Sequence, residues 1–142
     1  CTMEQTIDLI GLGFTAQYLD QSPPVSFSQM FKGRYDFSGD SLDSYYYHIE
    51  LLDTSSQIID SLYFGSQGNP IITTNSWDTV YGGFFGYGPG LRYIRVECGG
   101  NDAEGWLGNY GAVIDNSVVS IQEEVFDTIC AGDSIIFNDT AR

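Results

Sequence analysis

Apolar and polar residues alternate with a period of two along most of the chain, which predicts strands rather than helices. The clearest run is Tyr45-Tyr46-Tyr47-His48-Ile49-Glu50-Leu51-Leu52. Tyr45, Tyr47, Ile49 and Leu51 share one face; Tyr46, His48 and Glu50 share the other. Asp53-Thr54-Ser55-Ser56 turns the chain, and Gln57 to Phe64 returns as the second strand of a hairpin. Leu91 to Glu97 places Ile94 and Val96 on one side and Tyr93, Arg95 and Glu97 on the other, with Cys98-Gly99-Gly100-Asn101-Asp102 expected to end the strand. Glu4 to Ile10, Val25 to Tyr35, Trp77 to Phe85 and Asn116 to Gln122 complete the expected strands, and Trp77 is assigned to the core. In Val25 to Tyr35 the apolar positions shift after Phe27 towards Met30 or Phe31, which predicts a bulge. Phe14 to Gln21 carries Phe14 and Tyr18 at helical spacing and is expected to form one short helix, stopped by Ser22-Pro23-Pro24. Gly65 to Asn75 is expected to be a loop.

Composition narrows the function classes. The chain has 142 residues, 17 of them glycine, with 15% aromatic residues and a formal net charge of −14. Lys32, Arg34, Arg92, Arg95 and Arg142 are its only basic residues. Such a chain repels phosphate backbones and anionic membrane surfaces, so nucleic acid is not an expected partner. No apolar run is long enough to be a membrane-spanning helix. Cys1, Cys98 and Cys130 form no C-x-x-C pair, so zinc is not expected. Cys1 and Cys130, near the two ends of the chain, either bridge or remain unrelated thiols, with Cys98 a small buried residue.

The candidate chemistry is concentrated between Pro89 and Ile121. A glycine-spaced aromatic loop, Gly105-Trp106-Leu107-Gly108-Asn109-Tyr110-Gly111, follows the Gly99-Gly100-Asn101-Asp102 turn. Sugar faces present C–H groups that pack on aromatic rings, and their edge hydroxyls need polar partners. Trp106, flanked by Asn101, Asp102 and Asn109, offers that mixture. Upstream, Asp36 to Asp43 brings three carboxylates into eight residues, either a solvated turn or a calcium site without EF-hand spacing. No other cofactor is expected. Catalysis is not expected either: Asp102 and Glu104 sit beside glycines with no second carboxylate across a cleft, and the single histidine, His48, leaves little scope for a triad.

The runs Tyr87-Gly88-Pro89-Gly90-Leu91-Arg92-Tyr93-Ile94-Arg95, Gly99-Gly100-Asn101-Asp102, Trp106, Tyr110-Gly111 and Asp115-Asn116-Ser117-Val118 resemble the F-box-associated (FBA) domain of the sugar-recognising F-box proteins. Ile7-Asp8-Leu9, Gly13-Phe14, Leu19-Asp20-Gln21 and Ile49-Glu50-Leu51-Leu52-Asp53 extend the resemblance to residues 4–122. It implies an all-β fold, a jelly-roll sandwich of the galactose-binding-like type, and raises glycan or glycoprotein binding as the function. It also implies a role for Asp36, which follows Arg34-Tyr35 where the sugar-binding relatives keep an acidic residue near the glycan. The family's glycan contact is an adjacent Tyr-Trp pair followed in the strongest binder by Lys; here those positions read Gly105-Trp106-Leu107, and only the Trp carries over.

Residues 1–122 are thus expected to form the sandwich and 123–142 a strand-forming tail or the start of a following domain. The tail resembles the opening of a repeated strand unit of large secreted proteins from Bacteroidetes-type bacteria, which implies an extracellular or cell-surface address. Two functions follow: a non-catalytic glycan-binding module built around Trp106, or a structural subunit of a bacterial adhesin or filament that binds copies of itself through the tail.

Overall fold

In a computed structural model, residues 2–33, 43–102 and 111–122 are described. They form eight strands and one short helix: β1 (Thr2–Asp8), α1 (Ala16–Leu19), β2 (Val25–Lys32), β3 (Ser44–Leu52), β4 (Ile58–Phe64), β5 (Ile71–Ile72), β6 (Asp78–Phe84), β7 (Tyr93–Asn101) and β8 (Val113–Ile121). One antiparallel sheet has the order β1-β7-β3-β4, with β5 also pairing β3; the other has the order β6-β2-β8. The two sheets face each other as a β-sandwich, the all-β class expected from the alternation.

The core is where the inward faces of β3 and β2 meet. Tyr45, Tyr47, Ile49 and Leu51 from β3 and Val25, Phe27 and Phe31 from β2 are all buried. Phe31 stacks on Tyr45 with ring centroids 4.0 Å apart, and Phe27 stacks on Tyr47 at 5.6 Å. Each such burial stabilises the fold by roughly 1.5–3 kcal/mol, so these ring pairs hold the two sheets together. The hydroxyl of Tyr47 is buried with no hydrogen-bond partner.

The shift inferred within Val25 to Tyr35 belongs elsewhere. Alternation in β2 continues unbroken through Gln29, which is 0% exposed between Phe27 and Phe31. The extra residue is on β8: Ser28 pairs Val118 and Met30 pairs Asp115, so Asn116 and Ser117 both oppose Gln29. Asn116 has a φ of 49°, and the Gln29 amide Nε2 donates to the Asp115 carbonyl at 2.9 Å. A polar residue at an inward position thus serves the bulge in the neighbouring strand.

β7 also runs further than expected, through Cys98-Gly99-Gly100 to Asn101. Its glycines are there for close approach, not for a turn. A Cβ on Gly99 would lie 2.4 Å from the Tyr46 ring, and one on Gly100 would lie 2.9 Å from the Ser44 carbonyl oxygen. Cys98 is buried and free. Smaller differences are the earlier start of β8, at Val113, and the two-residue strand β5 inside the expected loop.

The Tyr-Gly-Pro-Gly-Leu-Arg run closes one end of the sandwich. Gly86, Gly88 and Gly90 all have positive φ. Tyr87 Oη donates to the Pro23 carbonyl at 2.7 Å, the Gly90 amide donates to Asp20 Oδ1 at 3.0 Å, and Arg92 Nη1 pairs with the same oxygen at 2.9 Å. Leu91 is buried. The short helix docks at this end: Tyr18 and Leu19 are buried, and Tyr18 Oη donates to the Gln122 carbonyl.

Candidate functional site

The opposite end of the sandwich is a rim where β2 and β7 finish and β3, β6 and β8 begin. Ser44 of β3 pairs with both Asn101 of β7 and Ile72 of β5, so these three residues lie in a row across it. The connection from β5 to β6 crosses from one sheet to the other here, and it ties the stems of neighbouring loops. The Gly33 amide donates to the Thr74 carbonyl at 3.0 Å, the Thr73 amide donates to the Asp43 carbonyl at 2.9 Å, and Thr73 Oγ1 donates to that carbonyl at 2.6 Å. Residues 33 and 43, the two ends of the acidic loop, are thereby held by adjacent residues of one crossing. Gly33 must be glycine, because a Cβ there would fall 2.2 Å from Thr73 Oγ1.

The aromatic loop leaves from the same rim. Gly111, with a φ of 95°, packs where a Cβ would lie 2.9 Å from the Gly100 carbonyl carbon and 3.0 Å from the Asn101 nitrogen. The chain entering at Asp102 and leaving at Gly111 is therefore pinched together against the end of β7. Asn101 is exposed and Asp102 half-buried. Trp106, Asn109 and Asp36 lie outside the described residues, as do Cys1 and Cys130, the two cysteines considered for a disulfide, and the segment 123–142. Among the described residues no group of three or more His, Cys, Asp or Glu side chains has the arrangement of a metal site; Asp36 and Asp40, two of the acids considered for calcium, lie outside them.

Trp77 is not in the core. It is 40% exposed at the rim, with Lys32 Nζ 5.9 Å from its ring centroid, within reach of a cation–π contact. A tight turn presents it: the Thr74 amide donates to Asp78 Oδ2 at 3.2 Å, and the Thr74 hydroxyl proton is shared between Asp78 Oδ2 at 3.1 Å and the Ser76 carbonyl at 3.0 Å. Strand parity accounts for the error. Val80 and Phe84 of β6 are buried, so the odd-numbered positions point outward and Trp77 joins them. An exposed tryptophan, an ammonium group and the carboxamide and carboxylate of Asn101 and Asp102 thus belong to one end of the sandwich. Such a set can stack on apolar faces and exchange hydrogen bonds with hydroxyls, but contains no nucleophile with an adjacent base.

His48 takes its expected place on the outer face of the larger sheet, in a packed network. Its Nε2 lies 3.0 Å from the Gly65 carbonyl oxygen, and its ring sits between Tyr46 at 5.0 Å and Tyr63 at 4.8 Å. Tyr63 Oη donates to Glu50 Oε1 at 2.7 Å, and Arg95 pairs with Glu50 Oε2. Tyr46 Oη donates to Glu97 Oε1 at 2.8 Å. Glu50 is buried and paired, so the face is held by mutual satisfaction of its polar groups.

Comparison with known proteins extends what the geometry shows. Residues 1–121 match the family described as F-box associated region. Over 123 residues the chain is 30% identical to F-box only protein 2 of Bos taurus, covering 86% of this chain and 40% of that protein. Over 125 residues it is 30% identical to F-box only protein 27 of Mus musculus, covering 86% of this chain and 42% of that protein. Over 131 residues it is 30% identical to F-box only protein 6 of Bos taurus, covering 88% and 46%. The chain spans less than half the length of each of these relatives. The family is one of non-catalytic recognition modules. Since the match runs from the first strand to the last, through both sheets and the clasp around Arg92, this chain belongs to the F-box associated (FBA) family.

Proposed function

We propose that this chain is a glycan-recognition module that holds the sugar of a glycoprotein at the rim. One observation carries the reading: the stems of the two loops bearing Asp36, Trp106 and Asn109 are gathered at the same end as exposed Trp77 with Lys32 above its ring. A pyranose stacks its C–H face on an indole, and the surrounding amide, carboxylate and ammonium groups serve its hydroxyls. The cation that the aromatic loop lacks after Trp106 is supplied at the rim by Lys32. Asn101 and Asp102 act as hydrogen-bonding groups beside the loop stems. Nothing among the described residues favours the adhesin or filament reading.

An array of immobilised N-glycans tests the proposal. Trp77→Ala and Lys32→Ala should each weaken binding, Trp77→Ala by about three- to tenfold, the worth of one aromatic contact. Trp106→Ala should weaken it at least as much. A chain that retains its fold and binds no glycan, or binds with the same strength in all three variants, overturns the proposal.

A further inference from the structure

Trp77 is the first ring of a line. Tyr81 and Phe85 follow it at four-residue intervals along β6 and its exit, and both are 74% exposed. All three point to the outer face of the three-stranded sheet, since the intervening Val80 and Phe84 are buried. Phe85 is held on that face by a glycine: a Cβ on Gly83 would lie 3.1 Å from the Phe85 ring. At the strand rise, neighbouring rings are roughly 13 Å apart and the whole line spans roughly 26 Å.

What lies beside the rings matters as much as the rings. In register with β6, Met30 faces Thr79, Ser28 faces Tyr81 and Ser26 faces Gly83. On the other side of β2, Ser26 Oγ is hydrogen-bonded to Ser120 Oγ at 2.7 Å. Along β6 and β2 this face carries no charge until Lys32 at the rim; its one acid beyond them is Asp115 of β8, beside Met30 at the rim end, in a chain whose net charge is −14. Rings separated by hydroxyls and glycine, with Met30 and Val118 as the apolar side chains beside them, differ from the continuous apolar centre of a protein–protein interface. They suit a long, neutral, hydroxyl-rich ligand that stacks at intervals.

We propose that Trp77, Tyr81 and Phe85 form an extended track for an oligosaccharide chain, continuous with the rim and running down the outer face of the smaller sheet. The proposal rests on the rim being a sugar site and adds its reach: sugars several units from the anchoring one are bound too. Tyr81 and Phe85 then read chain length, while the rim sets the affinity for the shortest sugar.

The test is isothermal titration of the full chain with chito-oligosaccharides from disaccharide to hexasaccharide, together with sedimentation of each variant. In the wild type, affinity should rise with length by about three- to tenfold for each further ring engaged. Tyr81→Ala combined with Phe85→Ala should flatten this dependence and leave disaccharide binding unchanged, with no change in melting temperature because both rings are exposed. Tyr81→Trp should retain the dependence. Disaccharide binding without any gain from length overturns the track and leaves the rim standing. Failure of every sugar to bind overturns both for this class of ligand. A wild type that self-associates and becomes monomeric in the double variant would show that a second copy occupies the face, and would also overturn the track.

Discussion

Single residues carry the sharpest stability consequences. Burial pushes the pKa of Tyr47 up to about 12, and burial does the same for Tyr87. The sign follows from proton binding. In an unfolded chain a tyrosine ionises at its ordinary pKa, near 10. Between that value and about 12 the folded chain therefore holds more protons than the unfolded one, and stability falls as pH rises. Urea midpoints measured on either side of pH 10 should decline only on the alkaline side. Tyr47→Phe should make that decline shallower. The same substitution removes a buried hydroxyl without a partner, so at neutral pH it should be neutral or stabilising by about 1 kcal/mol. Trp77→Ala is the contrasting case: the ring is at the surface, and its loss should change stability by no more than about 0.5 kcal/mol.

At the scale of elements, close approach decides what substitutions do. Gly100→Ala would set a methyl group 2.9 Å from the Ser44 carbonyl oxygen and 3.2 Å from the Ala112 nitrogen, both backbone atoms. It should destabilise by about 1–3 kcal/mol, visible as a lowered melting temperature, and should loosen the junction from which the aromatic loop hangs. Alternation made most strands legible, because one face of each sheet is buried and the period is visible in residues such as Tyr45, Tyr47, Ile49 and Leu51. The structure departs from the sequence expectation at three places, each for a physical reason. Gln29 faces inward because its amide serves the bulge in β8, so along β2 a buried polar residue looks like a break in the alternation. Gly99 and Gly100 continue β7 because Tyr46 and Ser44 press against them, although glycine pairs ordinarily signal a turn. Trp77, expected in the core, lies at the surface because its parity with Tyr81 and Phe85 points outward.

At the scale of the whole molecule, the two ends of the sandwich are built differently. The run from Tyr87 to Arg92, one part of the family pattern, is a structural clasp at the end opposite the rim. Only together with the other runs of the pattern does it mark the fold in the sequence, and it says little about the site. Of the rim, the sequence pointed to Asn101 and Asp102 but missed Lys32 and Trp77, which are brought together by a crossing between sheets that no local pattern records. Among the described residues the apolar cluster and the side chains packed on it run from Ile7 to Ile121, and the family match covers residues 1–121. Truncation after Gln122 should therefore leave a cooperatively folding domain, with a melting temperature within a few degrees of the full chain. A truncated chain that fails to fold would show that the last segment contributes to the core.

The most direct test of rim binding is a nuclear magnetic resonance titration of the full chain with an N-glycosylated peptide and, in parallel, with the same peptide stripped of its glycan. Recognition at the rim requires that only the glycosylated peptide shifts resonances, and that the largest shifts include Lys32, the Trp77 indole, Asn101 and Asp102. Identical responses to the two peptides, or shifts centred on the clasp around Asp20, Tyr87 and Arg92, would contradict it.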